Sequence, residues 1–232
     1  MDYQLGNIGK ILKRERIPRW GMVIDLRKCV GCGTCREVCD RINENYGGSN
    51  WRKLIEITEE NVSGNLGKGR FFLTMSCMHC DDPPCQDTCP TGATHNRSDG
   101  IIEIKENLCI GCAACIVACP YRARSICTED VIYRKDPSNQ RENRRSDGGR
   151  IGICTKCNFC SQIVDAGLQK GLKPGEDPEA TPLCVRFCIA EALSFGDLDD
   201  KESRVSKLIQ ESKTTRLLEE MNTNPKIYYI LK

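Results

Sequence analysis

Apolar residues along this 232-residue chain come in short runs rather than in long stripes. The runs GMVIDL (21–26) and RFFLTM (70–75) have strand length, and each leads into a loop that opens on cysteine, which predicts a strand ahead of each loop. The segments REVCDRINEN (36–45) and ACIVAC (114–119) carry good helix formers and predict short helices. Pro90 and Pro120 stop continuation of the turn past the cysteine before them, because proline brings no amide to extend it. The stretch TGATHNRSDGIIEI (91–104) reads as a strand, a Ser-Asp-Gly turn and a second strand. The tail, residues 201–232, predicts a helix and then an apolar extended end, suited to packing on a partner or folding back on its own domain. No run approaches the roughly 18 apolar residues that a membrane-spanning helix needs, so a direct membrane span is not expected.

Composition changes this picture in one respect. Cysteines number 18 against 2 Trp, 6 Tyr and 5 Phe, a balance that belongs to a disulfide scaffold or a metal protein. The N-terminal residues MDYQLGNIGKILKRERIPRW offer no apolar core, cleavage site or twin arginine of an export signal, and this points away from the oxidising compartments where disulfides persist. With 34 basic and 32 acidic side chains the formal charge is +2, which argues against a nucleic-acid binder. The one basic cluster, 133–150, is rich in Asn, Ser, Asp and Gly and reads as a solvated loop, with a docking patch as the competing reading.

The cysteines fall into four groups. Cys29, Cys32, Cys35 and Cys39 are spaced by two, two and three residues; Cys77, Cys80, Cys85 and Cys89 by two, four and three; Cys109, Cys112, Cys115 and Cys119 again by two, two and three. A fourth group combines CTKCNFC (154–160) with Cys184 and Cys188. Such repetition governs the expected fold. The run C-x2-C-x2-C-x3-C-P is the bacterial ferredoxin pattern for 4Fe-4S clusters, in which the fourth cysteine ligates the other cluster of a pair. Structural zinc also uses C-x2-C knuckles, but a ribbon has no use for a third and fourth thiol a few residues further on. Disulfides across such short loops would be strained. The radical-SAM spacing C-x3-C-x2-C is absent, because Ile42, Gly92, Arg122 and Glu191 stand where its last cysteine would be. Sixteen thiols complete four cubes and leave two of the eighteen over. Cys127, alone in ARSICTED, is one of these and reads as a small buried hydrophobe. The other lies among Cys154, Cys157 and Cys160, and spacing alone does not separate them.

From about Trp20 to Asp200 the chain resembles the iron-sulfur electron-transfer subunits of dimethyl sulfoxide reductase family molybdopterin oxidoreductases, including those of polysulfide, thiosulfate, tetrathionate and arsenate reductases. The resemblance is carried by MVIDLRKCVGCGTC, CMHCDDPPCQDTCPTGA, GIIEIKENLCIGCAACIVACPY, KCNFC and LCVRFCIAEALSFGDLDD. It implies an α+β fold of two nested bacterial ferredoxin-like modules, each with two 4Fe-4S clusters, with loop insertions and a C-terminal arm. The implied division is 1–66 for the first half of the outer module, 67–126 for the inner module, 127–150 for a polar insertion loop, 151–198 for the second half of the outer module, and 199–232 for the arm. Within that family the fourth group aligns on Cys157 and Cys160, which leaves Cys154 as the second spare. Four 4Fe-4S clusters are then implied. Cys29, Cys32 and Cys35 with Cys188 would hold one; Cys157, Cys160 and Cys184 with Cys39 another; Cys77, Cys80 and Cys85 with Cys119 a third; Cys109, Cys112 and Cys115 with Cys89 the fourth. The chain departs from the family pattern at Ile189, where proline usually follows the last cysteine, and this puts the backbone after Cys188 in question.

No nucleophile–base arrangement or flavin motif is visible, and the glycine-rich SGNLGKG (63–69) lacks the strand-to-helix setting of a nucleotide loop. The chain therefore reads as a conductor of electrons that is no enzyme on its own. The resemblance implies a large catalytic subunit with a molybdenum or tungsten pterin cofactor and, in many such complexes, a membrane quinone-interacting anchor. Location is then expected to be cytoplasmic or at the membrane through partners, with export beside a signal-bearing partner as a further route. A free polyferredoxin serving a hydrogenase or formate system is the alternative, and a zinc-dependent adaptor a third. Lys28, Arg36, Arg122, Arg124, Lys156 and Arg186 are candidates for tuning cluster potentials or docking, against a plain reading as surface charge. His79, between two cysteines, reads equally as a donor to a cluster or as a loop filler, and His95 reads as structural.

Overall fold

The computed structural model describes residues 16–43, 45, 50–58, 71–127 and 151–231. The polar stretch beyond Cys127, its basic cluster and the glycine-rich 63–69 lie outside the described residues. In chain order the first half comprises β1 (Trp20–Asp25), α1 (Thr34–Asn43), β2 (Lys53–Ile57), β3 (Phe71–Met75), α2 (Pro84–Asp87), β4 (Thr94–Asn96), β5 (Ile102–Ile104), α3 (Ala114–Val117) and β6 (Ser125–Ile126). The second half comprises β7 (Cys154–Thr155), α4 (Ser161–Gln169), α5 (Leu183–Arg186), β8 (Leu193–Asp197), α6 (Arg204–Glu211), β9 (Thr214–Thr215) and β10 (Ile227–Ile230).

Every residue of β1 is buried, as happens to a strand only when both faces of its sheet are covered. It lies inside a four-stranded sheet of order β8-β1-β10-β9, antiparallel to β8 and parallel to β10. On one face Trp20, Met22 and Ile24 pack with Phe195, Ile227 and Tyr229 in the main core. On the other, Val23 and Ile230 meet Val205 of α6, a helix capped by the Ser203 hydroxyl accepting from the Ser206 amide at 3.2 Å. The extended end of the tail thus folds back on its own chain, because β10 pairs with β1 in the register Met22↔Ile227 to Asp25↔Ile230.

Among the described residues three two-stranded sheets carry the remaining loops. β3 occupies the apolar run 70–75 as expected and pairs with β2, for which the sequence pattern gave no warning. β4 and β5 form the expected hairpin, whose turn is closed by Asp99 Oδ1 accepting from the Ile101 amide at 3.2 Å. Arg97 ties this hairpin to α4 through Asp165 at 2.7 Å. β6 pairs with β7, so Ile126 faces Cys154 across the ladder.

Candidate metal centres

The four cysteine groups share one backbone plan. Counting the fourth group from Cys157, the second residue after the first cysteine has positive φ in each: Gly31 (71°), His79 (46°), Gly111 (66°) and Phe159 (55°). The third cysteine is then the second residue of a helix: Cys35 in α1, Cys85 in α2, Cys115 in α3 and Cys184 in α5. All four of these thiols are buried. After the last cysteine of groups two, three and four comes another left-handed residue, Gly92 (66°), Arg122 (49°) and Glu191 (47°), which turns a backbone amide toward the sulfur. Thr94 N donates to Cys89 at 3.4 Å, Ala123 N to Cys119 at 3.5 Å and Ala192 N to Cys188 at 3.3 Å. The turn after Cys188 therefore matches the two proline-bearing turns although Ile189 stands in place of proline, because Glu191 adopts the required conformation.

Group one departs from this plan. Asp40 follows Cys39 where groups two and three have proline, so α1 runs on to Asn43 and uses its amides internally. Side chains replace them: Asn43 Nδ2 and Asn45 Nδ2 each donate to Cys39 Sγ at 3.6 Å. The sequence pattern did not single out either asparagine, and only the absent proline signals a need for them.

Folding brings remote thiols together. Cys39, Cys157, Cys160 and Cys184 line one cavity together with Arg52. Cys89, Cys109, Cys112 and Cys115 line a second. Cys154 also lies on this second wall, its sulfur 3.5 Å from Cys115 and its amide donating to Cys109 at 3.4 Å, and has no place on the wall with Cys157 and Cys160. The Cys188 thiol acts electrostatically on Cys29 along with Cys35 and Cys32, and the Cys77, Cys85 and Cys119 thiols act on Cys80. Cys157 in turn feels Cys77. Cys32 and Cys112 are the exposed members of the set.

Burial pushes Cys80 and Cys160 up to about 12 and raises Cys39 as well. Left to themselves these groups hold their protons at neutral pH, and a metal must displace them to bind sulfur. The hydrogen bond shared by Cys115 and Cys154 lowers the first and raises the second. Arg124 donates to Cys85 Sγ at 2.9 Å, and Arg52, overlooked in the sequence, donates to Cys184 Sγ at 3.3 Å. Lys156 is buried and donates to the carbonyl oxygens of Ile102 and Cys157. Lys28, Arg36, Arg122 and Arg186 are exposed. Burial, followed by Lys156, Lys226 and Arg124, holds His79 well below the usual imidazole value. Its ring is neutral, and Nδ1 accepts from the Ile102 amide at 3.0 Å, so the proton sits on Nε2. The ring stacks on Phe159 at 3.7 Å, so equivalent residues of groups two and four meet face to face. His95 Nδ1 donates to the Ala93 carbonyl at 3.3 Å, a structural role.

The donor set fits iron-sulfur clusters. Soft thiolates suit them, and among the described residues no three His, Cys, Asp or Glu converge as a single-ion site requires. Thiols spread around shared cavities on a mixed α/β frame define a ferredoxin-like iron-sulfur protein. Residues 69–137 match the family model described as a 4Fe-4S dicluster domain. A subunit of the selenate reductase of Mesobacillus selenatarsenatis is 36% identical, over 91% of this chain and 72% of that protein. The arsenate respiratory reductase iron-sulfur subunit ArrB of Shewanella sp. (strain ANA-3) is 32% identical over 91% and 96%, and the protein NrfC of Escherichia coli (strain K12) 35% over 91% and 80%. This chain belongs to the family of iron-sulfur electron-transfer subunits of dimethyl sulfoxide reductase family molybdopterin oxidoreductases.

Proposed function

We propose that this chain relays electrons through four 4Fe-4S clusters between a large molybdenum or tungsten pterin subunit and a membrane quinone-linked or other redox partner. When bound, such clusters supply one-electron oxidation and reduction. Cys29, Cys32, Cys35 and Cys188 hold the first; Cys39, Cys157, Cys160 and Cys184 the second; Cys77, Cys80, Cys85 and Cys119 the third; Cys89, Cys109, Cys112 and Cys115 the fourth. Groups two and three form an inner ferredoxin-like module within 67–126, and groups one and four an outer one from 1–66 and 151–198. The chain works in the cytoplasm or at the membrane through its partners.

The observation that carries this reading is the repeated loop plan of the four groups, with a left-handed residue two after the first cysteine and the third cysteine at the second helical position. The order of the four sets is supported by adjacency. Arg52 feels both Cys184 and Cys35, Cys157 feels Cys77, and Arg124 feels both Cys85 and Cys115. Exposed Cys32 and Cys112 belong to the two end sets, where partners must come close, while no thiol of the two middle sets is exposed. Anaerobic purification of the native complex tests the proposal. About sixteen irons per chain with matching acid-labile sulfide, reducible paramagnetic centres and a co-purifying molybdenum or tungsten subunit are expected. A monomer without such a subunit would point to a free polyferredoxin, and far fewer irons would end the four-cluster reading.

A further inference from the structure

Two guanidinium groups are buried against sulfur with no carboxylate among the described residues to balance them. Arg52 is 1% exposed. Its Nη2 donates to Cys184 Sγ at 3.3 Å and its Nη1 to the Thr74 hydroxyl at 3.2 Å, and that hydroxyl lies 3.9 Å from Cys35 Sγ. Arg124 is 6% exposed. Its Nη2 donates to Cys85 Sγ at 2.9 Å and its Nη1 to the Thr94 hydroxyl at 3.0 Å, with Cys154 Sγ at 3.9 Å. Arg19, Arg27 and Arg97 are all paired with aspartate, yet among the described residues neither Arg52 nor Arg124 forms an ion pair with a carboxylate.

An unbalanced cation in the interior is strongly unfavourable. The groups that favour the charged form here are sulfurs: Cys184, Cys35, Cys157 and Cys39 around Arg52, and Cys85, Cys77, Cys115 and Cys154 around Arg124. Each arginine thus stands between two of the thiol sets assigned above, one arginine to each pair, and each donates its sulfur bond to a set in the middle of the series. Adding an electron next to a fixed positive charge in a medium of low dielectric is favoured over adding it elsewhere, and hydrogen bonds to sulfur act in the same direction.

We propose that Arg52 and Arg124 are the fixed counter-charges of the two cluster pairs. Arg52 raises the reduction potential of the cluster held by Cys39, Cys157, Cys160 and Cys184, and Arg124 that of the cluster held by Cys77, Cys80, Cys85 and Cys119. This rests on the four-cluster reading. Each cluster takes up one electron from the mediator pool, and no bond is made or broken.

The test is a redox titration, followed by electron paramagnetic resonance, of the full-length protein with its partners. Arg52→Gln and Arg124→Gln remove the charge, whereas Arg52→Lys and Arg124→Lys keep it and lose the planar fork. In each Gln variant one signal is expected to fall so that its reduced-to-oxidised ratio drops at least tenfold at a given ambient potential, about 59 mV for one electron. The Lys variants should keep most of the original value. Selective loss of iron in the Gln variants with retention in the Lys variants would also support the proposal, since the Lys variants keep the positive charge that the Gln variants lose. It is overturned if all signals titrate as in the unsubstituted protein, or if Lys and Gln variants shift or lose iron equally. Too little iron in the unsubstituted protein would instead refute the four-cluster reading.

Discussion

At the scale of single residues, His79 and Phe159 carry unusual weight. Both take the left-handed conformation that glycine supplies in groups one and three, a strained choice for side chains of their size. Stacked on one another inside the core, they recover in packing what the backbone costs, and they close the seam between groups two and four. Cys154 shows the opposite relation, since a thiol three residues from Cys157 in sequence stands on a different cavity wall. If the chain holds the four clusters proposed above, Cys154→Ser is expected to keep all of them, while Cys160→Ser loses one. Iron analysis of the two anaerobically isolated variants checks this, and the reverse pattern would overturn the ligand register of group four. Arg52 and the Asn43–Asn45 pair were not legible along the chain. Their importance depends on which sulfurs the fold brings to them, and an arginine after Trp51 looks like any other.

At the scale of elements, the cysteine loop of group three is braced by a segment distant in sequence. Gly111 has φ of 66°, and a Cβ there would come 2.0 Å from the Gly152 carbonyl oxygen, so the loop of group three lies directly on the segment leading into β7. Gly92 has the same φ of 66° but nothing within 4 Å of such a Cβ. Both alanine variants bear the left-handed penalty of about 1–2 kcal/mol, and only Gly111→Ala adds a backbone clash. Gly111→Ala should therefore lower the midpoint for thermal loss of cluster absorbance under argon well beyond Gly92→Ala. Equal losses would show that the contact with Gly152 is unimportant. The sequence pattern found β1, β3, the β4–β5 hairpin and the helices at groups one and three, because runs of apolar residues and prolines mark them. It did not find β2, whose KLIEI is half exposed and mixes charge with apolar residues.

At the scale of the whole molecule, the C-terminal strand joins parts that the chain order keeps apart. Ile227 and Tyr229 of β10 are fully buried against β1, and the Tyr229 hydroxyl donates to the Thr74 carbonyl at 3.2 Å, at the end of the strand that leads to Cys77. Truncating the ring in Tyr229→Ala should cost about 3–5 kcal/mol by analogy with large-to-small core changes. Tyr229→Phe, which gives up only the hydroxyl bond, should cost about 1 kcal/mol. Thermal unfolding of the cluster-loaded protein would rank the two, and a Phe variant as weak as the Ala variant would show that the hydroxyl rather than the ring holds the strand. Among the described residues no helix is long and apolar enough to cross a membrane.

The sequence by itself determined the chemistry, because cysteine spacing is local: short loops of two- and three-residue steps are legible wherever they occur, and a third and fourth thiol close behind a C-x2-C step favour iron and sulfur over a zinc knuckle. It also carried the family, through motifs spread over most of the chain. Tertiary structure decided everything that depends on distance through space. It put Cys154 beside Cys115 and away from Cys160, folded the tail onto β1, and set two buried guanidinium groups among the sulfurs. Packing contacts and hydrogen bonds act over a few ångströms, and residues 39 and 157, or 52 and 184, become neighbours only once the chain has closed.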